Sequence, residues 1–204
     1  TLVEEMGGQL ERTALSTNVK ERLDFSCALL DADGNLTVNA PHVPVHLGAL
    51  GLCVREIADA LSLGPGDVII SNHPAFGGSH LPDVTVIAPV HDDDGTLFAY
   101  VANRAHHAEI GGVRPGSMPP EARNLAEEGV VIPPTYLFRG SESRMDEAVR
   151  LFREGPWPSR RPEENFADVL AQVAAVRRGI QALTDLGREH GAATLAEHMG
   201  FLRE

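Results

Sequence analysis

Two short segments bring imidazole and carboxylate side chains close together in the chain. The first, Gly77-Gly78-Ser79-His80-Leu81-Pro82-Asp83, precedes the apolar run Val84-Thr85-Val86-Ile87-Ala88. The second, Arg104-Ala105-His106-His107-Ala108-Glu109-Ile110-Gly111-Gly112, closes an apolar run with paired histidines, a carboxylate and two glycines. Imidazole nitrogen and carboxylate oxygen together make the donor set of a mononuclear Zn, Mn or Fe site, whereas oxygen-only sets suit Mg or Ca. Such an ion polarises a carbonyl, or acidifies a water until hydroxide is available near neutral pH. His80-x-x-Asp83 alone is a weak motif. Pro82 rules out a helical i, i+3 pair, so the two side chains converge only if a turn brings them together. The competing reading is an ordinary hydrogen-bonded polar pocket between loops.

The residues between the clusters argue for a single site. Residues 84–90 and 97–103 read as strands joined by the turn His91-Asp92-Asp93-Asp94-Gly95. Antiparallel pairing sets the entry of one strand beside the exit of the other. That joins His80, Asp83 and either His106 or His107. Three protein ligands leave a fourth position for protein or water. Asp24, at the start of an earlier strand, is the candidate; its other reading is a polar boundary between helix and strand. The paired glycines permit positive φ and close approach of a substrate to backbone. His46 either lines the pocket or is a packed structural histidine. Pro44 between His42 and His46 argues against a helical histidine pair, so residues 41–48 are expected to be extended or looped.

Several chemistries are excluded. Lys20 is the only lysine and no glycine loop of the Walker type is present, so ATP binding by this chain alone is not expected. No Gly-x-Ser-x-Gly elbow exists. Asp92, Asp93 and Asp94 lack the spacing of a calcium loop and read as solvated. A net charge of −12 gives nucleic acid no basic face to bind. No apolar run approaches the roughly 20 residues that cross a bilayer. The acidic opening Thr1-Leu2-Val3-Glu4-Glu5 has no apolar signal region, so a cytoplasmic location is expected. Cys27 and Cys53 both lie in apolar surroundings and read as buried free thiols.

The supporting elements follow from periodicity. At 204 residues and 43% hydrophobic content the chain is large enough for a sizeable core. Residues 1–20 read as one amphipathic helix, weakened at Gly7-Gly8. Residues 24–30 and 36–38 read as a hairpin around Asp33-Gly34, residues 49–63 as a buried helix, and residues 67–71 as a buried strand. Residues 121–128 read as a short acidic helix and 129–134 as extended and edge-like. Residues 143–154, 163–188 and 192–202 read as helices, the long one with a single apolar stripe. The fold class is therefore α+β: antiparallel β-hairpins form a sheet with packed helices and a helical C-terminal segment. The expected division is a metal-site domain over 1–155 and a helical segment over 156–204.

The ordered motifs resemble those of the hydantoinase B/oxoprolinase family, to which the acetone carboxylase alpha subunit is related. They are Asn18-Val19-Lys20-Glu21-Arg22-Leu23-Asp24-Phe25-Ser26, Pro44-Val45-His46-Leu47-Gly48, Gly66-Asp67-Val68, the two clusters above, Pro115-Gly116-Ser117-Met118 and Glu128-Gly129-Val130. The resemblance implies the N-terminal part of a B-type subunit. A hydantoinase A-like ATPase subunit would use ATP and Mg to phosphorylate a cyclic amide, and the B-type subunit would complete ring opening by water, in a hetero-oligomer. It also implies a divalent metal (Mn, Zn or Fe) on Asp24, His80, Asp83 and His106, with His107 as the alternate to its neighbour. His107, Glu109 and His73 are the candidate catalytic groups beside it. His73 and Ala75 stand where family members commonly have Asp and Tyr, and Glu109 where they commonly have Asp. The alternatives are a ketone carboxylase component and a non-catalytic scaffold fragment.

Overall fold

The computed structural model describes residues 1–39, 44–116 and 119–201. Seven strands form one antiparallel sheet: β1 (Phe25–Asp31), β2 (Leu36–Asn39), β3 (Val68–Ser71), β4 (Asp83–His91), β5 (Leu97–His106), β6 (Thr135–Arg139) and β7 (Glu142–Ser143). Their order is β2-β1-β5-β4-β3-β6-β7, which puts the β4–β5 hairpin at the centre. The helices are α1 (Leu2–Thr13), α2 (Thr17–Lys20), α3 (Pro44–Ala60), α4 (Leu125–Glu128), α5 (Met145–Arg153), α6 (Pro162–His190) and α7 (Ala192–Phe201). Together they make the α+β architecture expected from the pattern. Among the described residues no helix is long and apolar enough to cross a membrane.

The central strands are covered on both faces, which is why they read as apolar runs rather than as alternating patterns. One face packs Val84, Val86, Val101 and Ala105 against Met6 and Leu10 of α1 and Val169, Val173 and Val176 of α6. The other packs Leu30, Ile69, Ile87 and Ala102 against Leu50, Val54 and Ile57 of α3. The stripe of α6 thus enters the same core as residues from the first half of the chain. Strand alternation then sends Asp83, Thr85, Arg104 and His106 to the α3 face, because Val84 and Ala105 belong to the other.

Two local expectations are corrected, and two segments gain detail. The helix over 1–20 is two helices. Gly7-Gly8 do not interrupt α1, and Gly7 is buried. The break comes later, where the Asp168 carboxylate accepts the Leu15 and Ser16 N–H groups and Ser16 caps α2. Residues 44–48, expected to be looped, open α3: Pro44 sits in the first turn, where a missing N–H costs nothing. The part of that expectation falling on 40–43, His42 included, lies outside the described residues. The edge hairpin β6–β7 is absent from the sequence reading, because Pro133-Pro134 and Gly140 look like punctuation rather than strand flanks. The segment read as extended and edge-like, 129–134, lies beside the end of β3, where the Ile132 N–H donates to Asn72 Oδ1 and its carbonyl accepts the Asn72 N–H.

Candidate metal centre

Asp83 and His106 are placed by register. Asp83 opens β4, His106 ends β5, and the two are Cα partners. His80 arrives through the turn that the proline spacing required: the Asp83 N–H donates to the His80 carbonyl at 2.8 Å, folding the loop back on itself. One donor atom from each of His80, Asp83 and His106 lies within 4.8 Å of the others. The rings of His80 and His106 have centroids 5.4 Å apart.

The electrostatics suit a cation. Burial acts to raise the Asp83 carboxyl, but His106, His46 and the Ser79 hydroxyl outweigh it and hold it well below the usual carboxylate range. An ionised carboxylate only accepts, so His106 Nδ1, 2.7 Å from Oδ1, donates to it; an ion shared by the two residues would take the place of that proton. Ser79 donates to Oδ2 at 2.8 Å. His46 Nε2 stands 3.7 Å from Oδ1, beyond hydrogen-bond length but within ion-pair range, with its Nδ1 3.1 Å from Ser26 Oγ. Burial lowers the pKa of His80, which favours the neutral ring a metal requires. His80 Nε2 is buried without a hydrogen-bond partner. An orphaned buried ring nitrogen beside an ionised carboxylate is an arrangement that a bound cation would satisfy. The donor set therefore fits a divalent metal of the Zn, Mn or Fe kind.

Asp24 is adjacent but not part of that donor set. Its carbonyl accepts the His106 N–H at 2.9 Å. Burial acts to lower the His106 pKa, but the hydrogen bond to Asp83, the Asp83 charge and, last, the Asp24 charge outweigh it and raise it. His107 lies on the opposite side of the strand end, wholly buried, with Nε2 3.0 Å from Gln172 Oε1 and its ring stacked on Phe152. Burial lowers its pKa. Glu109 faces the start of α6: it accepts the Ser159 hydroxyl, the Arg160 and Gly111 N–H groups and the Arg160 guanidinium. His73 caps the short 3₁₀ turn Pro74–Phe76 by accepting the Ala75 N–H. The structure thus brings together His80, Asp83 and His106, and sets His107, Glu109 and His73 among other partners. The glycines do hold positive φ at Gly77, Gly111 and Gly112. Their close neighbours, however, are the chain's own backbone: a Cβ on Gly77 would meet Cys53 N at 2.6 Å, and one on Gly111 would meet Trp157 O at 2.4 Å.

Sequence reasoning passed over the polar residues that hold the site. Asn72, wholly buried, donates to the Leu81 and Val130 carbonyls and so fixes the loop carrying His80. Gln172 donates to the Val84 carbonyl and to Asn103 Oδ1, bracketing both ligand strands from α6. Arg104 is the largest fully buried side chain. The available signal was polar residues inside an apolar run, such as Asn103-Arg104 between Ala102 and Ala105, or Gln172 between Ala171 and Val173.

The sequence model of the Hydantoinase B/oxoprolinase family matches residues 1–204. The 5-oxoprolinase of Saccharomyces cerevisiae is 48% identical over 207 residues, covering 98% of this chain and 16% of that protein. Among solved structures, the ATP-dependent caprolactamase from Pseudomonas jessenii aligns with a TM-score of 0.86 at 28% identity, over 98% of this chain and 34% of that one. Acetone carboxylase in its nucleotide-free form aligns with a TM-score of 0.83 at 18% identity, over 96% of this chain and 25% of that one, a likeness of fold. The chain spans about a sixth of the length of the yeast relative. With the family's sequence pattern running through every described element, the chain belongs to the hydantoinase B/oxoprolinase family.

Proposed function

We propose that this chain holds the hydrolytic metal centre of a cytoplasmic, ATP-dependent cyclic-amide hydrolase, acting on a ring that a hydantoinase A-like ATPase subunit has phosphorylated. The observation that carries the reading is the convergence of His80, Asp83 and His106 around a buried, unpartnered imidazole nitrogen. The family membership supports it, as do the names of two relatives, 5-oxoprolinase and ATP-dependent caprolactamase, both of which name cyclic amides. His80, Asp83 and His106 would hold the ion, which leaves a fourth position for water or for the adjacent Asp24 carboxylate if it moves in. Bound there, a divalent cation supplies Lewis acidity, to polarise a carbonyl or phosphoryl oxygen and to acidify water. The chain's own part is positional. Asp83, kept ionised by its donors, would supply the anionic ligand oxygen beside the His106 ring. His46, held by Ser26, braces the same carboxylate. Asn72 and Gln172 keep the loop and the strand ends in place.

Elemental analysis of the purified protein tests this, beside His80→Ala and Asp83→Ala variants whose folding is checked by circular dichroism. Bound Mn, Zn or Fe in the parent, lost in both folded variants together with ring-opening activity in the presence of the ATPase subunit, is the expected result. Unchanged metal in both variants would refute the site. Turnover that requires bicarbonate would replace hydrolysis by carboxylation.

A further inference from the structure

Beneath the candidate ligands lies a buried cation with neutral partners. Arg104 sits two residues before His106 on β5, opposite Thr85, which is two residues after Asp83 on β4. Its side chain is wholly buried. Nε donates to Thr85 Oγ1 at 2.8 Å, Nη1 to Ser79 Oγ at 3.2 Å and Nη2 to the Gly77 carbonyl at 2.9 Å. All three acceptors are neutral oxygens. A buried guanidinium is expensive unless its charge is compensated, and the nearest compensation on this route is one hydroxyl away. A guanidinium can only donate. Ser79 Oγ therefore accepts from Arg104, and its single proton is left to point at Asp83 Oδ2, 2.8 Å away.

We propose that Arg104 is a positioning residue for the metal centre, acting through Ser79 on Asp83 and through Gly77 on the loop that carries His80. The relay fixes the Ser79 hydroxyl as a donor, occupies Oδ2, and leaves Oδ1 to the imidazoles and the ion. The planar fork ties β4, β5 and the loop 77–79 into one unit, so that ligands from two segments keep a common geometry. Partners of ligands in this position typically change metal affinity by about 10–100-fold when removed. The inference rests on the metal-centre reading above, and neither the clusters nor their spacing in sequence singles out Arg104.

The test is Co(II) binding, followed by its visible absorption and by chelator competition, with no turnover required. Full protein is compared with Ser79→Ala, Arg104→Met and the double variant, and with His80→Ala as the control for a lost ligand. Ser79 is exposed, so its alanine variant does not threaten the fold. Each single variant is expected to weaken Co(II) binding about 10–100-fold and to shift the absorption bands. The double variant is expected to be no weaker than Arg104→Met, because both act along one route. If Arg104→Met does not fold, Ser79→Ala decides. Wild-type affinity and bands in Ser79→Ala would overturn the relay while leaving the metal centre standing. A parent protein that takes up no Co(II) would overturn the metal centre and the relay together.

Discussion

Asp83 and His106 are partners in the β4–β5 ladder, and their side chains meet with His106 Nδ1 2.7 Å from Asp83 Oδ1. His107, one residue on, is sent the other way by strand alternation, to Gln172 and Phe152. The paired histidines therefore divide between two layers of the molecule. His106→Ala should abolish metal uptake at a stability cost of about 1–2 kcal/mol. His107→Ala should leave uptake intact but cost about 2–4 kcal/mol, through a cavity beside Phe152 and an unpaired Gln172. Urea titrations and elemental analysis of both variants separate the roles. Metal lost from His107→Ala and kept by His106→Ala would reverse the assignment.

Gln172 is the counterpart of that division on the helical side. It is fully buried, and its amide serves His107, the Val84 carbonyl and Asn103 at once. Gln172→Leu keeps the volume but leaves these groups without partners in a dry interface. The expected loss is on the order of 3 kcal/mol, read as a lower urea midpoint at unchanged m. A change within about 0.5 kcal/mol, the range of ordinary surface substitutions, would mean that the amide is dispensable.

The sequence carried the hairpin and the cluster because both are local patterns. Apolar runs bounded by Asp-Gly turns fix β1–β2 and β4–β5, and two polar clusters flanking one hairpin imply a meeting point. What it could not carry was the sense of each strand. Ala102, Arg104 and His106 alternate with Val101, Asn103, Ala105 and His107, and each set mixes polar with apolar residues, so neither declares its face. The covering helices α3 and α6 decide the matter, and they lie far away in sequence. The same cause hid Arg104 and Gln172, whose partners come from other elements. Pro44 misled for a different reason: a proline that breaks a helix interior also suits a first turn.

The two cysteines bear on chemistry that the site does not use. Both are free and buried, as their apolar surroundings predicted. Burial pushes the Cys27 thiol up to about 12 and raises that of Cys53. Burial therefore leaves almost no reactive thiolate at Cys27 near neutral pH. Ellman's reagent should label neither cysteine in the native protein and both in denaturant. Prompt native labelling of Cys27 at the rate of a free thiol would contradict the packing of β1 against the core.

Glu109 gives the fold a pH dependence whose sign can be worked out. Burial acts to raise its pKa, but the Ser159 hydroxyl, the Gly111 and Arg160 N–H groups and the Arg160 side chain outweigh it, leaving the folded value below the ordinary glutamate range. The unfolded chain then binds this proton more readily than the folded one. The stabilisation is full above the unfolded value of about 4.3 and is lost as pH falls through the lower folded value. Glu109→Gln keeps one acceptor oxygen but removes the charge that both Arg160 contacts use. The stability gap between parent and variant should therefore be constant from pH 7 to roughly 5 and shrink below about 4.3. Urea midpoints measured across that range give the curve. A gap that widens on acidification would require Glu109 to be protonated more easily in the folded protein, which its four donors do not allow.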